Sequence, residues 1–476
     1  MGETVTHKAA VGTVWASLDR FTCMGLQFVI NLILARLLTP GDFGAVGMLA
    51  IFVAVSNVLV DGGFTSALIQ RKNTSQLDWS TVFYWNLSLS MAIYAVIFFS
   101  APAVARFFHM PVLCGVLRGV GITIILGALM SVQLTRLRKR FAFRTIAIAN
   151  ILSYIFSGIV AISLALAGAG VWCLVIMQLV QLGTVLVIFG VITRWLPSPG
   201  FSFTALRSLF GYGGYLLAAG LLQEAAKNLQ GLIIGRRFSD VTMGYYSQAS
   251  KLDRITSYSL PQVIVQVMFP LFSALQSDPR ALSGKLLQGV GIIAFLIFPM
   301  MSLLILTAPG LISLLYGEKW LPAVPYFRIL CVAGLFACLQ NINYYAVAAR
   351  GKSRVLFLWS LWKWGFLLLA ILAGVEIGGM YGILWGMVLS EVNIYIVNAS
   401  LAARYASLPL GRQLKALLPI MSCAVIAFVV SGLVLPYAGV IISALLLPLL
   451  YIGVARLLRL RALSQSVAMI KHIRKR

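Results

Sequence analysis

The chain has 476 residues, of which 61% are hydrophobic and only 10% charged, and its mean hydropathy is +0.96. A soluble domain, where roughly a quarter of residues are charged, is excluded. The net charge of +25 would suit a nucleic-acid binder, but the basic residues lie scattered between long apolar runs and form no continuous basic face.

Apolar runs of about 18–25 residues, long enough to cross a hydrocarbon core of roughly 30 Å, recur from end to end. They are continuous rather than alternating, so they read as helices and not as barrel strands. Span 1, over 11–36, is not expected to follow a cleavable signal. It carries Asp19, and it sets Arg20, Met24, Gln27 and Asn31 on one face. Span 2, over 43–68, holds Asp61. Spans 3 to 6 run over 80–105, 113–135, 145–167 and 171–193, with Arg118 early in span 4. "RWLPSPGFSFTALR" then breaks the helical pattern with Pro and Gly, and Phe201 and Phe203 are expected to lay this linker along the membrane surface. Span 7, over 208–235, contains "LLQEAAKNLQGLIIGRRF", in which Glu224, Lys227, Asn228 and Gly231 share one face. Span 8, over 242–268, presents Gln248, Lys251, Arg254 and Tyr258 on a face, with Asp253 beside them. Spans 9 to 12 cover 286–307, 323–348, 355–373 and 380–402. They carry Arg328, the aromatic segment "FLWSLWKWGF" around Lys363, and Glu391. Spans over 416–434 and 439–455 complete an expected set of about fourteen.

About two thirds of the 37 Lys and Arg fall in the tails and in alternate loops, among them Arg71, Lys72, Arg138, Arg140, Arg350, Lys352 and Lys415. The opposite loops hold Arg106, Arg236, Arg237 and Lys319. This asymmetry places both termini in the cytoplasm. The six cysteines all lie within spans without a CxxC pair, so neither a zinc site nor a disulfide framework is expected. His7, His109 and His472 lie outside the spans. No nucleophile elbow, zincin or phosphate-loop motif is present, so no catalytic residue, metal or cofactor is expected.

The chain repeats itself with a period near 200. "NLILARLLTPGDFGAVG" from Asn31 aligns with "GLIIGRRFSDVTMGYYS" from Gly231, pairing Arg36 with Arg236, Thr39 with Ser239 and Gly44 with Gly244. "VLRGVG" around Arg118 matches "YFRILC" around Arg328, and "GAGVW" at Gly168 matches "GGMYG" at Gly378. The expected organisation is an N-lobe over 1–199 (spans 1–6), a linker over 200–207, a C-lobe over 208–410 (spans 7–12), and two further spans with a basic cytoplasmic tail over 411–476. Duplicated halves around a shared site are the common build of secondary transporters.

A charge at the bilayer centre costs about 2.5–3.5 kcal/mol on insertion scales, so the polar stripes are expected to face protein or a water-filled cavity. Arg20, Gln27, Asn31, Lys227, Asn228, Lys251, Arg254, Tyr258 and Lys363 are the expected substrate-binding residues. Asp19, Asp61, Glu224, Asp253 and Glu391 are the expected ion-coupling acids. Within the spans the bases outnumber the acids, and that surplus points to an anionic ligand. Structural ion pairs welding the halves together are the competing reading, Glu224 with Lys227 first among them. Arg118 and Arg328 are equally suited to bracing their own halves by capping carbonyls.

"LARLLTPGDFGAVGM", "VDGGFTSALIQRKN", "GYYSQASKL", "MFPLFSALQSD" and "LLYGEKWLPAVP" resemble the polysaccharide transporter family of the multidrug/oligosaccharidyl-lipid/polysaccharide exporter superfamily. Within it, the branch of exopolysaccharide and O-antigen flippases is the most similar. The resemblance implies an all-α integral membrane protein with two six-helix lobes around a central cavity and two C-terminal helices. It implies alternating-access transfer of an undecaprenyl-diphosphate-linked oligosaccharide across the bacterial inner membrane, coupled to an ion gradient. Membrane lipids and other membrane proteins of polysaccharide assembly are the further expected partners. A multidrug exporter of the same superfamily would want an acid-rich cavity instead. A membrane-embedded polymerase or ligase would want a large outward loop, and the loop at "LLYGEKWLP" is short.

Overall fold

The computed structural model describes the backbone of residues 2–71, 74–351, 353–460 and 462–463. Helices make up nearly all of it. Among the described residues, twelve stretches are long and apolar enough to cross a membrane. One of these, Leu358–Ala406, is two helices folded back on each other at Gly378 (φ −145°) and Gly379 (φ 56°). Helix α8 is a further 35-residue helix. The architecture is therefore the all-helical, multi-span one read from the sequence, with a span count close to fourteen.

Two compact units divide the chain, Met1–Gly244 and Tyr245–Arg476. The first unit comprises α1 (Gly2–Leu37), α2 (Pro40–Asp61), α3 (Phe64–Gln70), α4 (Gln76–Phe107), α5 (Val112–Lys139), α6 (Phe143–Leu166), α7 (Trp172–Thr193), α8 (Phe203–Arg237) and the start of α9 (Asp240–Arg254). Helix α1 packs on α6, α4 on α5, α6 on α7, and α2 on both α5 and α8. Local chemistry sets the helix starts. Thr39 and Asp42 form a capping box at α2 with Pro40 in the first turn, and Ser75 and Asp78 form another at α4. Ser239 caps α9 in one direction, its hydroxyl accepting from the Thr242 amide at 3.1 Å. Span 2 ends earlier than the hydropathy suggests. Gly62 and Gly63 both take positive φ, which stops α2 at Asp61 and turns the apolar run 64–68 into the separate short helix α3.

The segment between α7 and α8 is strapped to the first turns of α4. Trp195 donates to Gln76 Oε1 (2.9 Å), Gln76 donates to the Leu196 carbonyl (3.0 Å), and the amides of Ser198 and Ser202 donate to Ser80 Oγ (2.8 Å) and Thr81 Oγ1 (3.1 Å). Beneath it Phe64, Leu68, Trp79, Val132, Trp195 and Leu206 form one buried cluster. Lys139 closes the α3–α4 loop by donating to the carbonyls of Leu68 and Arg71 and to Thr74 Oγ1 at 2.7–3.1 Å. Phe201 and Phe203 meet edge to face, ring centroids 4.8 Å apart, and stay exposed.

The second unit holds the rest of α9, a π-helical turn (Ile255–Ser259), α10 (Leu260–Ala274), α11 (Pro279–Tyr316), a 3₁₀ turn (Glu318–Ala323), α12 (Val324–Ala349), α13 (Ser353–Ala406) and α14 (Leu410–Leu457). Helix α11 is its centre, with α10, α12 and α14 packed along it. The folded-back halves of α13 pack so closely that a Cβ on Gly374 would meet the Gly382 backbone, and one on Gly382 the Gly374 backbone. A Cβ on Gly386 would meet Ala370. This is the small-residue packing that lets helices approach in lipid, where apolar burial gives no extra drive.

Three prolines inside membrane-length helices share one device. A helix proline lacks the N–H that would bond the carbonyl four residues earlier, and a bare carbonyl in hydrocarbon costs several kcal/mol. Pro102 in α4 frees the Phe98 carbonyl, and Arg118 Nε donates to it at 3.2 Å. Pro309 in α11 frees the Ile305 carbonyl, and Arg328 Nε donates to it at 3.1 Å. Pro299 frees the Phe295 carbonyl, and the Tyr451 hydroxyl of α14 donates to it at 3.0 Å. Arg118 and Arg328 are the repeat mates read from the sequence, and both act as carbonyl caps.

Candidate functional site

Helix α1 presents Arg20 and Gln27 on an exposed side and Asn31 partly buried. Asp19 points to α6, where Asn150 donates to both of its oxygens at 3.1 and 3.2 Å and Cys23 Sγ lies 3.2 Å away. Adjacent residues thus divide: the acid is tied into the bundle and the base is left on the surface. Asp61, the last residue of α2, accepts from Thr65 in the first turn of α3, so it bridges the double-glycine break.

On α8, Asn228 Nδ2 donates to the Glu224 carbonyl (2.9 Å) and lies 3.5 Å from Glu224 Oε2. Glu224 and Asn228 are partly buried. The side chain of Lys227, and with it the expected Glu224–Lys227 pair, lies outside the described residues.

The α9–α10 stretch is among the more polar of the membrane-length helices. Lys251, Arg254 and Tyr258 are exposed, whereas Gln248, which shares their face by simple helical spacing, is fully buried. At 3.6 residues per turn Gln248 lies about a quarter turn from the centre of the face that Lys251, Arg254 and Tyr258 share, towards the packed side. A π-helical turn over Ile255–Ser259 follows. Asp253 falls on the opposite, buried side. Ser257, inside the π turn, donates to Asp253 Oδ2 at 3.0 Å. Asp253 Oδ1 has no hydrogen-bond partner among the described residues and faces Gly334 of α12, where a Cβ would sit 3.0 Å from it.

Glu391, on the second half of α13, is held by Gln340 of α12, whose Nε2 donates to Oε2 at 2.6 Å. Asn398 donates to the Gln340 carbonyl (3.2 Å). One turn further along α12, Asn343 and Gln413 of α14 exchange two amide bonds at 3.0 and 3.2 Å, and Tyr395 donates to Gln413 Oε1 at 3.3 Å. Helix α12 therefore has one carboxylate at Gly334 and another at Gln340, six residues apart. Lys363 sits between the indoles of Trp359 (5.4 Å) and Trp364 (4.9 Å), and Trp362 donates to Asn393 Oδ1 at 3.0 Å.

Two kinds of surface result. One is exposed and cationic, at the middle of a membrane-length helix. The other is inward-facing and oxygen-rich, built around the buried Asp253 and the half-buried Glu391. Charge counting overlooked the neutral amides Gln340, Asn343 and Gln413. Their signal is present in "LQNINYY", a run of three amides inside a span. The charge surplus needs revision as well. Arg118 and Arg328 are engaged with proline-freed carbonyls, so the case for an anion rests on Arg20, Lys251 and Arg254.

A family model described as "Polysaccharide biosynthesis protein" matches residues 33–325. The chain is 25% identical to the teichuronic acid biosynthesis protein TuaB of Bacillus subtilis, over 90% of each chain. It is 26% identical to the succinoglycan biosynthesis transport protein ExoT of Rhizobium meliloti, over 85% of this chain and 81% of that one. Among solved structures, the lipid II flippase MurJ in an inward closed conformation superposes with a TM-score of 0.74 at 13% identity, covering 94% of this chain and 98% of that one. That likeness shows the fold.

Proposed function

Because the chain belongs to the polysaccharide biosynthesis protein family, we propose that it is a flippase for a lipid-linked oligosaccharide. The ligand is an undecaprenyl-diphosphate carrying an exopolysaccharide or O-antigen repeat unit. It is moved from the cytoplasmic to the periplasmic leaflet of the bacterial inner membrane by alternating access, and no bond is made or broken. The observation that carries the reading is the exposed Lys251–Arg254–Tyr258 side of α9–α10. Charges halfway along a membrane-length helix are too costly to face lipid, so that side faces water. A cationic aqueous surface suits a diphosphate, which Arg engages through two parallel N–H donors and Lys as a point charge. Arg20, Gln27, Asn31, Lys227 and Asn228 extend the proposed surface, while Lys363 with Trp359 and Trp362 offers rings and donors for sugar. The cationic character disfavours the multidrug reading. Succinoglycan transport and teichuronic acid biosynthesis, named for two relatives, point to a polymer of sugars.

Coupling is proposed to run through the inward-facing acids. An ionised carboxylate away from water is unfavourable unless it is paired. Asp253 and Glu391, held by neutral donors from Ser257 and Gln340, are the proposed carriers of a proton or other cation. Asp19, Asp61 and Glu224 remain secondary candidates.

The test is leaflet-resolved. Deleting the gene should leave lipid-linked oligosaccharide accumulating on the cytoplasmic face, and the intact gene should clear it. Lys251→Ala and Arg254→Lys should fail to clear it while reaching the membrane at normal abundance. The Arg254→Lys change keeps the charge and removes the bidentate contact. Normal clearance in both variants would sink the anion-binding surface. An unchanged lipid distribution in the deletion strain would sink the flippase.

A further inference from the structure

The starts of α2 and α9 touch backbone to backbone inside the first unit. A Cβ on Gly44 would collide with the Asp240 carbonyl, and a Cβ on Gly244 would collide with the Pro40 carbonyl. These two contacts are one contact seen twice. The repeat pairs Gly44 with Gly244 and position 40 with position 240, so exchanging the partners reproduces the contact, as a two-fold axis through it requires. The caps repeat too, with Thr39 and Asp42 on α2 and Ser239 and Thr242 on α9. A Cβ on Gly41 would lie 2.7 Å from Asp240 Oδ2. Axes of packed helices ordinarily lie about 8–10 Å apart because side chains intervene. Here glycine at both mated positions removes the side chain, and the main chains meet.

The same end of the unit is closed on its flank. Gly235 of α8 packs on Met48 and Phe108, and Arg236 reaches His109 Nε2 at 3.0 Å while lying over the Phe107 ring at 5.0 Å. By the distribution of basic residues, these turns are the outward ones. Backbone contact of this kind contributes little per atom pair, and two helix N-termini facing each other carry like partial charge. Such a junction is tight when closed and inexpensive to part.

We propose that the reciprocal Gly44–Gly244 crossing is the outward gate, closed in this structure, which must open for the flipped lipid to leave. The proposal rests on the transporter reading above. Two experiments use the full-length protein in membranes, in a background lacking the six native cysteines. In the first, Gly41→Cys is combined with Asp240→Cys and oxidised. The disulfide should lower transport by about tenfold or more, and reduction should restore it. Undiminished transport by fully cross-linked protein would overturn the gate. In the second, Gly44→Ala or Gly244→Ala is added to a reporter, Asn228→Cys. A membrane-impermeant thiol reagent supplied from the outward side should label the reporter faster when the added methyl wedges the crossing apart. Equal labelling with and without the methyl would overturn the gate as well. Labelling needs no substrate, so a gate that switches in a protein that moves no lipid-linked oligosaccharide would leave the device standing and remove the substrate.

Discussion

At the scale of single residues, Arg118 and Arg328 show how a charge in a membrane helix can serve architecture. Each donates to a carbonyl that a proline released, at repeat-related places. The arrangement predicts a specific rescue. Arg328→Leu should lower membrane abundance and thermal stability by about 1–3 kcal/mol, the cost of a stranded buried acceptor. Adding Pro309→Ala should recover most of the loss, because the restored backbone N–H bonds the Ile305 carbonyl. Arg118→Leu with Pro102→Ala should behave alike. Thermal melts of the purified single and double variants decide it. Stability that stays low in both double variants would show the arginines acting through something other than these carbonyls.

At the scale of elements, the α13 hairpin and the α9–α10 stretch are packed differently. Glycines at 374, 382 and 386 let the two halves pack with almost no space between them, while Gly378 and Gly379 make the turn. Gly382→Val should force the halves apart and destabilise by about 1–3 kcal/mol or more. Gly365→Val on the same helix, where a Cβ meets nothing within 4 Å, should leave stability unchanged. Abundance in membranes compares the two directly, and equal loss in both would refute the packing argument. On α9 and the π turn after it, Lys251, Arg254 and Tyr258 are exposed while Asp253 and Ser257 face inward. The polar character of this stretch was legible in the sequence. Which polar residue is exposed and which is buried was not, because i, i+3 spacing reads Gln248 as part of the face of Lys251 and Arg254 although it lies at that face's edge.

At the scale of the molecule, the distribution of basic residues predicts the orientation in the membrane. Reporter fusions after Lys72, Arg140, Arg354 and Lys415 should report cytoplasm, and those near Pro40, Met110, Glu318 and Tyr437 should report periplasm. A cytoplasmic signal at Glu318 would overturn the span order of the second half. The structure is consistent with the duplication through details that no local pattern contains. The two capped turns, the two proline–arginine braces and the mutual glycine contact each recur at mated positions.

The sequence by itself determined that this is a multi-span helical membrane protein, roughly where its spans lie, and to which family it belongs. Hydropathy, helical period and turn residues are properties of neighbours in the chain, and the bilayer enforces them segment by segment. Tertiary structure alone decided the partners. Arg328 finds its carbonyl 23 residues away, Asn343 meets Gln413 across 70, and Trp195 docks on Gln76 across 119. A polar residue in a span reads the same from sequence whether it faces water, a freed carbonyl or another amide. Only the packing of distant helices, which brings particular donors to particular acceptors, tells these apart.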